Sequence, residues 1–287
     1  MPELPEVEIT KRSLLKTVNK AKIIDIKINN KNLRYKVPKS FRNKLINKRI
    51  LKISRRAKYI VFHFKEFILL SHLGMTGKYL IKKIKNNQIY KTSFYYDLNI
   101  LHKHNHIYFV LNNGIVLIYN DVRRFGFFKL YENKIISNIP FFNKLGVEPL
   151  SKIFNSLYFE NFIYNKKSNI KTLLMNQKFI SGLGNIYVNE VLFITKISPL
   201  KLCKELKKYE IKNLIYNIKR VLKFAIFKGG SSIRDFKNIE GKSGNFQQFF
   251  RVYGREGKKC SRISCKGEIK KMIICGRSSF YCNKCQI

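Results

Sequence analysis

The chain has 287 residues, with 58 lysine and arginine residues against 17 aspartate and glutamate residues, a formal net charge of +41. This balance favours a polyanionic partner. With 45% hydrophobic and 14% aromatic residues the composition excludes a disordered chain, and the longest apolar runs fall far short of the roughly 20 residues that a membrane span needs.

The N-terminal segment carries three glutamates where a secretory signal would carry lysines, and no apolar core follows it. We therefore expect a cytoplasmic protein without membrane contact, in a compartment that keeps cysteines reduced. No oligomerisation signal is visible, which favours a monomer.

The first 140 residues predict one helix followed by strands. Val7, Leu14, Leu15 and Val18 recur at helical spacing. Apolar and β-branched runs then predict two hairpins, which pair residues 59–64 with 67–72 and residues 107–111 with 115–119. Such hairpins are typical of a β-sandwich or barrel.

The pattern becomes helical after Pro149. Leu214, Ile218, Val221, Leu222 and Ala225 recur at helical spacing, and Gly229 and Gly230 predict the end of that helix. The turn at residues 182–185 precedes a helix predicted to begin near Ile186; it is either an ordinary turn between helices or a phosphate site. The segment 241–257 predicts a mobile loop.

Five of the six cysteines lie in the last 28 residues. The pairs Cys260 and Cys265, and Cys282 and Cys285, form a C-x4-C-x16-C-x2-C pattern typical of a tetrahedral zinc site. The alternative is a coincidental group of buried thiols. We predict one structural Zn²⁺, and we expect the remaining two cysteines, Cys203 and Cys275, to be small apolar fillers.

Pro2 becomes the N-terminal residue if the initiator methionine is removed. An α-amino group has a pKa near 8, so a useful fraction is unprotonated and can attack an electrophilic carbon to form a Schiff base. Glu3 lies beside that amine and can move protons. Glu6 and Glu8 are better explained as acids at the N-terminus of the first helix.

Several motifs in order resemble the bacterial formamidopyrimidine-DNA glycosylase family over essentially the whole chain. They are PELPEVE at 2–8, RRAKY at 55–59, HLGMTG at 72–77, RRFG at 123–126, GLGNIY at 182–187, VYGR at 252–255 and the terminal cysteine ribbon ending in CQ. The spacing departs from the commoner family form only in the first cysteine pair, where C-x4-C replaces C-x2-C.

The resemblance implies a DNA glycosylase and abasic-site lyase of base excision repair. Its partner would be double-stranded DNA containing oxidised bases or abasic sites, chiefly 8-oxoguanine and formamidopyrimidines. By resemblance the predicted catalytic residues are Pro2 as nucleophile, Glu3, Lys58 and Arg277. The strand would then be cut by β,δ-elimination.

The resemblance also implies a set of DNA-contacting residues. Three of them would fill the gap left by the extruded nucleotide: Met75, Arg123 and Phe125. From composition alone, Met75 and Phe125 are core candidates. The other implied contacts are His104, Lys167 and Asn185. Glu190 aligns with a helix carboxylate whose role stays open.

The implied fold is α+β: an N-terminal β-sandwich domain with a leading helix (residues 1–142), a helix-two-turn-helix domain (143–240), and a lesion loop with a zinc-ribbon β-hairpin (241–287). Two alternative functions are compatible with parts of this pattern. An endonuclease VIII-like glycosylase for oxidised pyrimidines typically has PEGPE, so Leu4 favours the purine branch. A noncatalytic zinc-ribbon protein explains the charge and the cysteines but gives no reason for Pro2 and Glu3.

Overall fold

The computed structural model describes residues 1–84, 89–91, 101–132, 139–231 and 246–286. The chain divides into two compact units. Unit 1 contains Met1–Asn143 and Lys228–Gln247, and unit 2 contains Lys144–Phe227 and Gln248–Ile287.

Unit 1 begins with helix α1, Leu4–Val18. Glu3 is its N-cap, Pro5 lies in its first turn, and the Glu6 carboxylate accepts the Glu3 backbone N–H at 2.8 Å. This capping box satisfies donors that a helix start otherwise leaves unpaired. Val7, Leu14 and Val18 are fully buried, and Leu15 is partly buried against the same core, so the predicted apolar face is confirmed.

Two antiparallel sheets follow in unit 1. Their strands are β1 (Ile23–Ile28), β2 (Lys52–Arg56), β3 (Tyr59–His63), β4 (Phe67–His72), β5 (Lys78–Lys83), β6 (Ile89–Lys91), β7 (Asn105–Leu111), β8 (Ile115–Asn120) and β9 (Phe127–Glu132). One sheet has the order β1-β7-β8-β5-β6 and the other β2-β3-β4-β9. Both predicted hairpins are present, as β3 with β4 and β7 with β8.

A single hydrophobic core receives side chains from both sheets and from α1. Ile23 and Tyr119 come from the first sheet, while Phe62 and Phe128 come from the second. Side chains that alternate along each strand place one face of each sheet in this shared core. The predicted sandwich with a leading helix is confirmed. A short helix α2 (Phe41–Leu45) contributes Phe41, and α3 (Pro140–Asn143) follows β9.

Unit 2 is helical. Its helices are α4 (Ser156–Ile163), α5 (Ile170–Met175), α6 (Asn185–Ile194) and α7 (Lys208–Phe227). The five apolar positions predicted for α7 are all buried, and the helix ends at Phe227 before the two glycines. Asn155 and Asn169 cap α4 and α5 through their side-chain oxygens, which explains where these helices begin.

An antiparallel hairpin of β10 (Ile269–Ile274) and β11 (Arg277–Cys282) closes unit 2. Its two-residue turn consists of Cys275 and Gly276, both with positive φ. The prediction for Cys275 is therefore wrong: it is exposed, because the turn carries it away from any core. Cys203 is fully buried, as predicted.

The predicted loop 241–257 falls in part outside the described residues, since residues 241–245 are among those left undescribed. Phe246–Phe249 form a short 3-10 helix. Within the described ranges, no helix combines the length and apolar character that a bilayer crossing requires.

Candidate functional site

The three N-terminal glutamates have three different surroundings in unit 1. Pro2 is buried, and Glu3 is only 4% exposed at the N-cap of α1. The second oxygen of Glu6 accepts both the backbone N–H and the hydroxyl of Ser231 at 2.9 Å. Glu6 therefore fastens the start of α1 to the Ser231 segment, a role beyond the helix-terminus effect expected for it.

Glu8 connects α1 to the turn that carries Lys58. Its carboxylate pairs with Lys11 at 2.9 Å, and with Arg12 and Arg55 at 3.0 and 3.1 Å. Burial opposes ionisation of Glu8, but these cationic partners outweigh it and hold its pKa below the ordinary value. Arg55 also donates to the Ala57 carbonyl at 2.8 Å, which braces the turn between β2 and β3. Lys58 lies buried in that turn, directly before β3.

His72, at the end of β4, is a site residue that sequence reasoning missed. Burial and then the charges of Lys58 and Arg34 lower its pKa to about 4, so the ring is neutral at physiological pH. It stacks on Phe127 with ring centroids 5.2 Å apart, and its Nδ1 accepts the Gly74 backbone N–H at 3.1 Å. The neutral His72 ring therefore lies near the charge of Lys58 and also accepts a hydrogen bond from the turn that carries Met75. The available signal was that His72 is the first residue of the HLGMTG motif.

Met75, Arg123 and Phe125 lie on two turns of unit 1, and the structure brings these turns together. Met75 is partly exposed between β4 and β5, and Phe125 is 44% exposed between β8 and β9. The Arg123 guanidinium lies 4.6 Å from the centre of the Phe125 ring. Neither apolar side chain is a core residue, so the alternative that Met75 and Phe125 pack in the core is wrong.

An open hollow of about 600 Å³ adjoins these turns. It is lined by Asn32, Leu33, Arg34, Arg123, Arg124 and Phe125. Three arginines at its wall make it a cationic surface suited to phosphate. Arg34 and Arg124 were not among the predicted contacts. Nothing in the sequence indicated that residues 32–34 reach this loop, whereas Arg124 lies within the RRFG motif.

His104 lies at the base of the turn that carries Arg123 and Phe125. It ends a 3-10 turn, is partly exposed, and its carbonyl accepts the backbone N–H of Asp121 at 3.1 Å. Desolvation, followed by the charge of Lys103, lowers its pKa below the ordinary histidine value. Among the described residues, the group that could hold a metal consists of the four cysteines and includes none of the histidines around His104.

In unit 2, a buried polar network joins helices α5 and α6 to the hairpin. Lys171 is 1% exposed, and its Nζ donates to Ser279 Oγ at 2.6 Å and to Asn189 Oδ1 at 3.2 Å. Asn185 Nδ2 donates to the Ser278 carbonyl at 2.9 Å. Asn185, the first residue of α6, is therefore held beside the start of β11, where the exposed Arg277 lies.

The structure does not place Lys167 in this network. It is exposed in the segment between α4 and α5, two residues before the N-cap of α5. Lys171 is the lysine that sequence reasoning missed. Because the chain holds many lysines, nothing in the sequence separates a buried lysine from a solvated one.

Glu190 has an identified set of partners. Its carboxylate accepts the backbone N–H groups of Arg251, Val252 and Tyr253 at 2.9 to 3.0 Å. Burial raises its pKa, and the three donors oppose that rise. Glu190 thus anchors the segment that contains the VYGR motif, a role that the sequence alone does not specify.

The four predicted cysteines form one cluster at the base of the hairpin. All four Sγ atoms lie within 4.8 Å of one another, with Cys260 and Cys285 at 3.9 Å and Cys265 and Cys282 at 3.6 Å. Zinc–sulfur bonds of about 2.3 Å in a tetrahedron separate sulfurs by roughly 3.8 Å. The residues therefore fit one structural zinc ion, with every coordination position taken by protein.

The longer first cysteine knuckle has a visible consequence. Arg262, inside the C-x4-C segment, donates to the carbonyls of Phe193 and Ile194 at 2.7 and 3.0 Å. These carbonyls belong to the last turn of α6, where a cation also interacts favourably with the helix dipole.

Two family models match the chain. Residues 1–128 match the formamidopyrimidine-DNA glycosylase N-terminal domain, and residues 145–237 match the formamidopyrimidine-DNA glycosylase H2TH domain. Both matches name the family that the motifs resemble.

Relatives and solved structures agree with these models. The formamidopyrimidine-DNA glycosylases of Bartonella tribocorum and Rickettsia africae are 42% and 40% identical, over 100% of this chain and 100% and 99% of theirs. A Lactococcus lactis Fpg complex with DNA containing N7-benzyl-Fapy-dG has a TM-score of 0.85 at 36% identity. A complex of the same protein with abasic-site DNA has a TM-score of 0.84 at 35% identity. Both matches cover 99% of each chain.

Proposed function

The chain belongs to the formamidopyrimidine-DNA glycosylase family, and from this premise we propose how its residues carry out the reaction. It is a DNA glycosylase with abasic-site lyase activity, acting on DNA that contains formamidopyrimidine lesions or abasic sites. We extend the substrates to other oxidised purines, chiefly 8-oxoguanine. The noncatalytic zinc-ribbon alternative and the pyrimidine-specific alternative are set aside.

The observation that carries the mechanism is a buried carboxyl next to a prospective N-terminal amine. After removal of Met1, the Pro2 nitrogen is a secondary amine at the start of unit 1. Glu3 follows it directly and is 4% exposed at the N-terminus of α1. An amine that is partly unprotonated at neutral pH, beside an acid held by a helix, is suited to nucleophilic attack with proton transfer.

In the proposed first step, the Pro2 nitrogen bonds to C1′ of the damaged nucleotide. The bond from C1′ to the base breaks, the base leaves with the electron pair, and the proton that the Pro2 nitrogen loses neutralises the base. Glu3 delivers a proton to the sugar ring oxygen as the ring opens, which leaves an iminium between Pro2 and C1′. Loss of the C2′ proton then expels the 3′ phosphate, and a second elimination expels the 5′ phosphate.

The remaining predicted residues act at the reacting nucleotide or contact the DNA around it. Lys58 and Arg277 act near the reacting nucleotide and its phosphates, and Asn185 and Lys167 bind phosphate in unit 2. His104 contacts the backbone from unit 1. Met75, Arg123 and Phe125 occupy the gap left by the extruded nucleotide, whose unstacking costs a few kcal/mol. The zinc site shapes the hairpin and takes part in no chemical step.

We further propose domain roles that follow the sequence boundaries. Residues 1–142 form the catalytic domain, 143–240 the helix-two-turn-helix domain, and 241–287 the lesion loop with the zinc hairpin. The protein acts as a monomer in the bacterial cytoplasm, where its DNA substrate lies.

Borohydride trapping tests the nucleophile. Wild-type protein incubated with a formamidopyrimidine-containing duplex should yield a covalent protein–DNA adduct, because reduction of the iminium makes the bond permanent. Mass spectrometry of the digested adduct should place the sugar on the peptide that begins with Pro2. The same assay over 8-oxoguanine and oxidised-pyrimidine duplexes ranks the lesion classes.

Two variants sharpen the assay. One alanine inserted between Met1 and Pro2 displaces the terminal amine and should abolish the adduct, whereas Lys27→Ala removes an exposed lysine on β1 and should leave it unchanged. Full trapping by the insertion variant would exclude Pro2 as the nucleophile. Loss of trapping in Lys27→Ala would show that the adduct forms on surface lysines.

A further inference from the structure

The two turns that carry Met75, Arg123 and Phe125 pack backbone against backbone. A Cβ on Gly74 would overlap the Phe125 backbone, and one on Gly126 would lie 2.7 Å from the His72 carbonyl oxygen, directly before the first turn. Gly74 also has φ +60°. Only glycine permits this approach, so the two turns form a single surface element. We call it the wedge platform, consisting of residues 73–77 and 121–126.

A buried carboxylate lies at the centre of the wedge platform. Asp121 is 0% exposed, and its Oδ1 accepts the Thr76 hydroxyl at 2.5 Å. Its Oδ2 accepts the Gly126 backbone N–H at 2.8 Å and the Tyr119 hydroxyl at 3.3 Å. Asp121 therefore bonds directly to both turns, to a neighbour of Met75 on one and to a neighbour of Phe125 on the other.

Thr76 completes the connection. Its hydroxyl donates to Asp121 and accepts the Arg123 backbone N–H at 3.0 Å. One hydroxyl thus joins the residue after Met75 to the backbone of Arg123 itself. Hydrogen bonds to a carboxylate are shorter and stronger than neutral ones, and burial keeps water from competing for them.

We propose that Asp121, acting through Thr76, is the positioning residue that holds Met75, Arg123 and Phe125 in one rigid arrangement before DNA binds. This inference rests on the proposed function of those three residues. Ordering two loops during DNA binding costs conformational entropy and therefore opposes binding. A platform that is ordered in advance avoids this entropic cost. The benefit arises only where a gap in a duplex must be filled.

The test uses Thr76→Val, which keeps the shape of a partly exposed side chain and removes its hydroxyl. Single-turnover excision from a formamidopyrimidine duplex should fall about 10- to 100-fold, the effect of one or two lost interactions that support the transition state. Strand cleavage of single-stranded abasic DNA should stay at the wild-type rate, because there is no stacked nucleotide to replace. Thr76→Ser should restore duplex excision.

Control variants separate the possible failures. Thr17→Val removes a hydroxyl that bonds only to α1 carbonyls and should behave as wild type on both substrates. Met75→Ala tests the wedge itself: unchanged duplex excision there would refute the assigned role of Met75. If Met75→Ala slows excision but Thr76→Val does not, the positioning role of Asp121 and Thr76 is wrong. An equal loss on duplex and single-stranded substrates would also overturn it.

Discussion

The wedge platform of unit 1 and the hairpin turn of unit 2 each hold an exposed arginine by means of a buried charged side chain, and the two buried charges have opposite signs. Each presents an exposed arginine, Arg123 or Arg277, at a tight turn. The wedge platform is organised around a buried acid, Asp121, that accepts from both of its turns. The hairpin is organised around a buried base, Lys171, that donates to the start of β11.

The difference between the two regions is the metal site. The wedge platform depends on protein hydrogen bonds and glycine packing alone, within a large sandwich core. The hairpin has a small apolar cluster, centred on Val252, Ile269 and Cys282, and depends in addition on four thiolates. A short two-stranded ribbon is marginal without such a constraint, which is why the cysteines lie there.

The largest expected effect comes from zinc removal. Chelation, or Cys282→Ser, should disorder the hairpin and abolish detectable DNA binding, because structural zinc contributes about 10 kcal/mol or more to small domains. The β-rich signal of unit 1 in circular dichroism should persist. Global unfolding on chelation would contradict the view that unit 1 is stabilised independently of the metal.

A smaller effect is expected when Lys171 is replaced. Lys171→Met leaves Ser279 and Asn189 with unmade bonds and should lower the free energy of unfolding by about 2 to 4 kcal/mol. Affinity for abasic DNA should fall, since Asn185 and the start of β11 lose their common support, while zinc content stays at one per chain. Lys212→Met, at an exposed position of α7, is the matched control. Equal losses in both variants would show that net charge, and not position, is responsible.

The smallest effect is a pH dependence that belongs to unit 1. His72 has a pKa of about 4 against an ordinary 6.5. Between these values the unfolded chain binds the proton first, so stability falls as pH is lowered through this window and is unaffected above it. The loss at pH 5 should be about 2 kcal/mol. Urea unfolding at pH 7 and pH 5 measures it.

His72→Asn supplies the matched control for this pH effect. Its side-chain oxygen can accept the Gly74 N–H in place of Nδ1, and it does not titrate. The difference in stability between the two pH values should therefore shrink in this variant. An unchanged difference would assign the pH dependence to other groups.

Sequence motifs predicted most of the exposed candidate site residues. They did not predict the buried hydrogen bonds that hold those residues in place. HLGMTG and RRFG identify Met75, Arg123 and Phe125, but Asp121 and Thr76 are 45 positions apart in the chain. Lys171 and Ser279 are 108 positions apart, and Glu6 and Ser231 are 225 apart. Cys275 was wrongly expected to be buried, because the sequence pattern did not reveal a turn with two positive φ angles.

The sequence by itself indicated the leading helix, two hairpins, the long helix of unit 2 and the zinc ligands, and it suggested the chemistry that we propose for Pro2 beside Glu3. These features depend on local periodicity, on spacing and on the intrinsic properties of side chains. Only the tertiary structure decided which acids and lysines are buried and what they hold in place. Glu3, Glu6 and Glu8 look alike in the sequence, yet one lies buried at the N-cap of α1, one fastens Ser231 and one pairs with Arg55. The burial and the hydrogen-bond partners of a charged side chain depend on chain segments that meet only on folding. Together they determine the free energy of its ionised form.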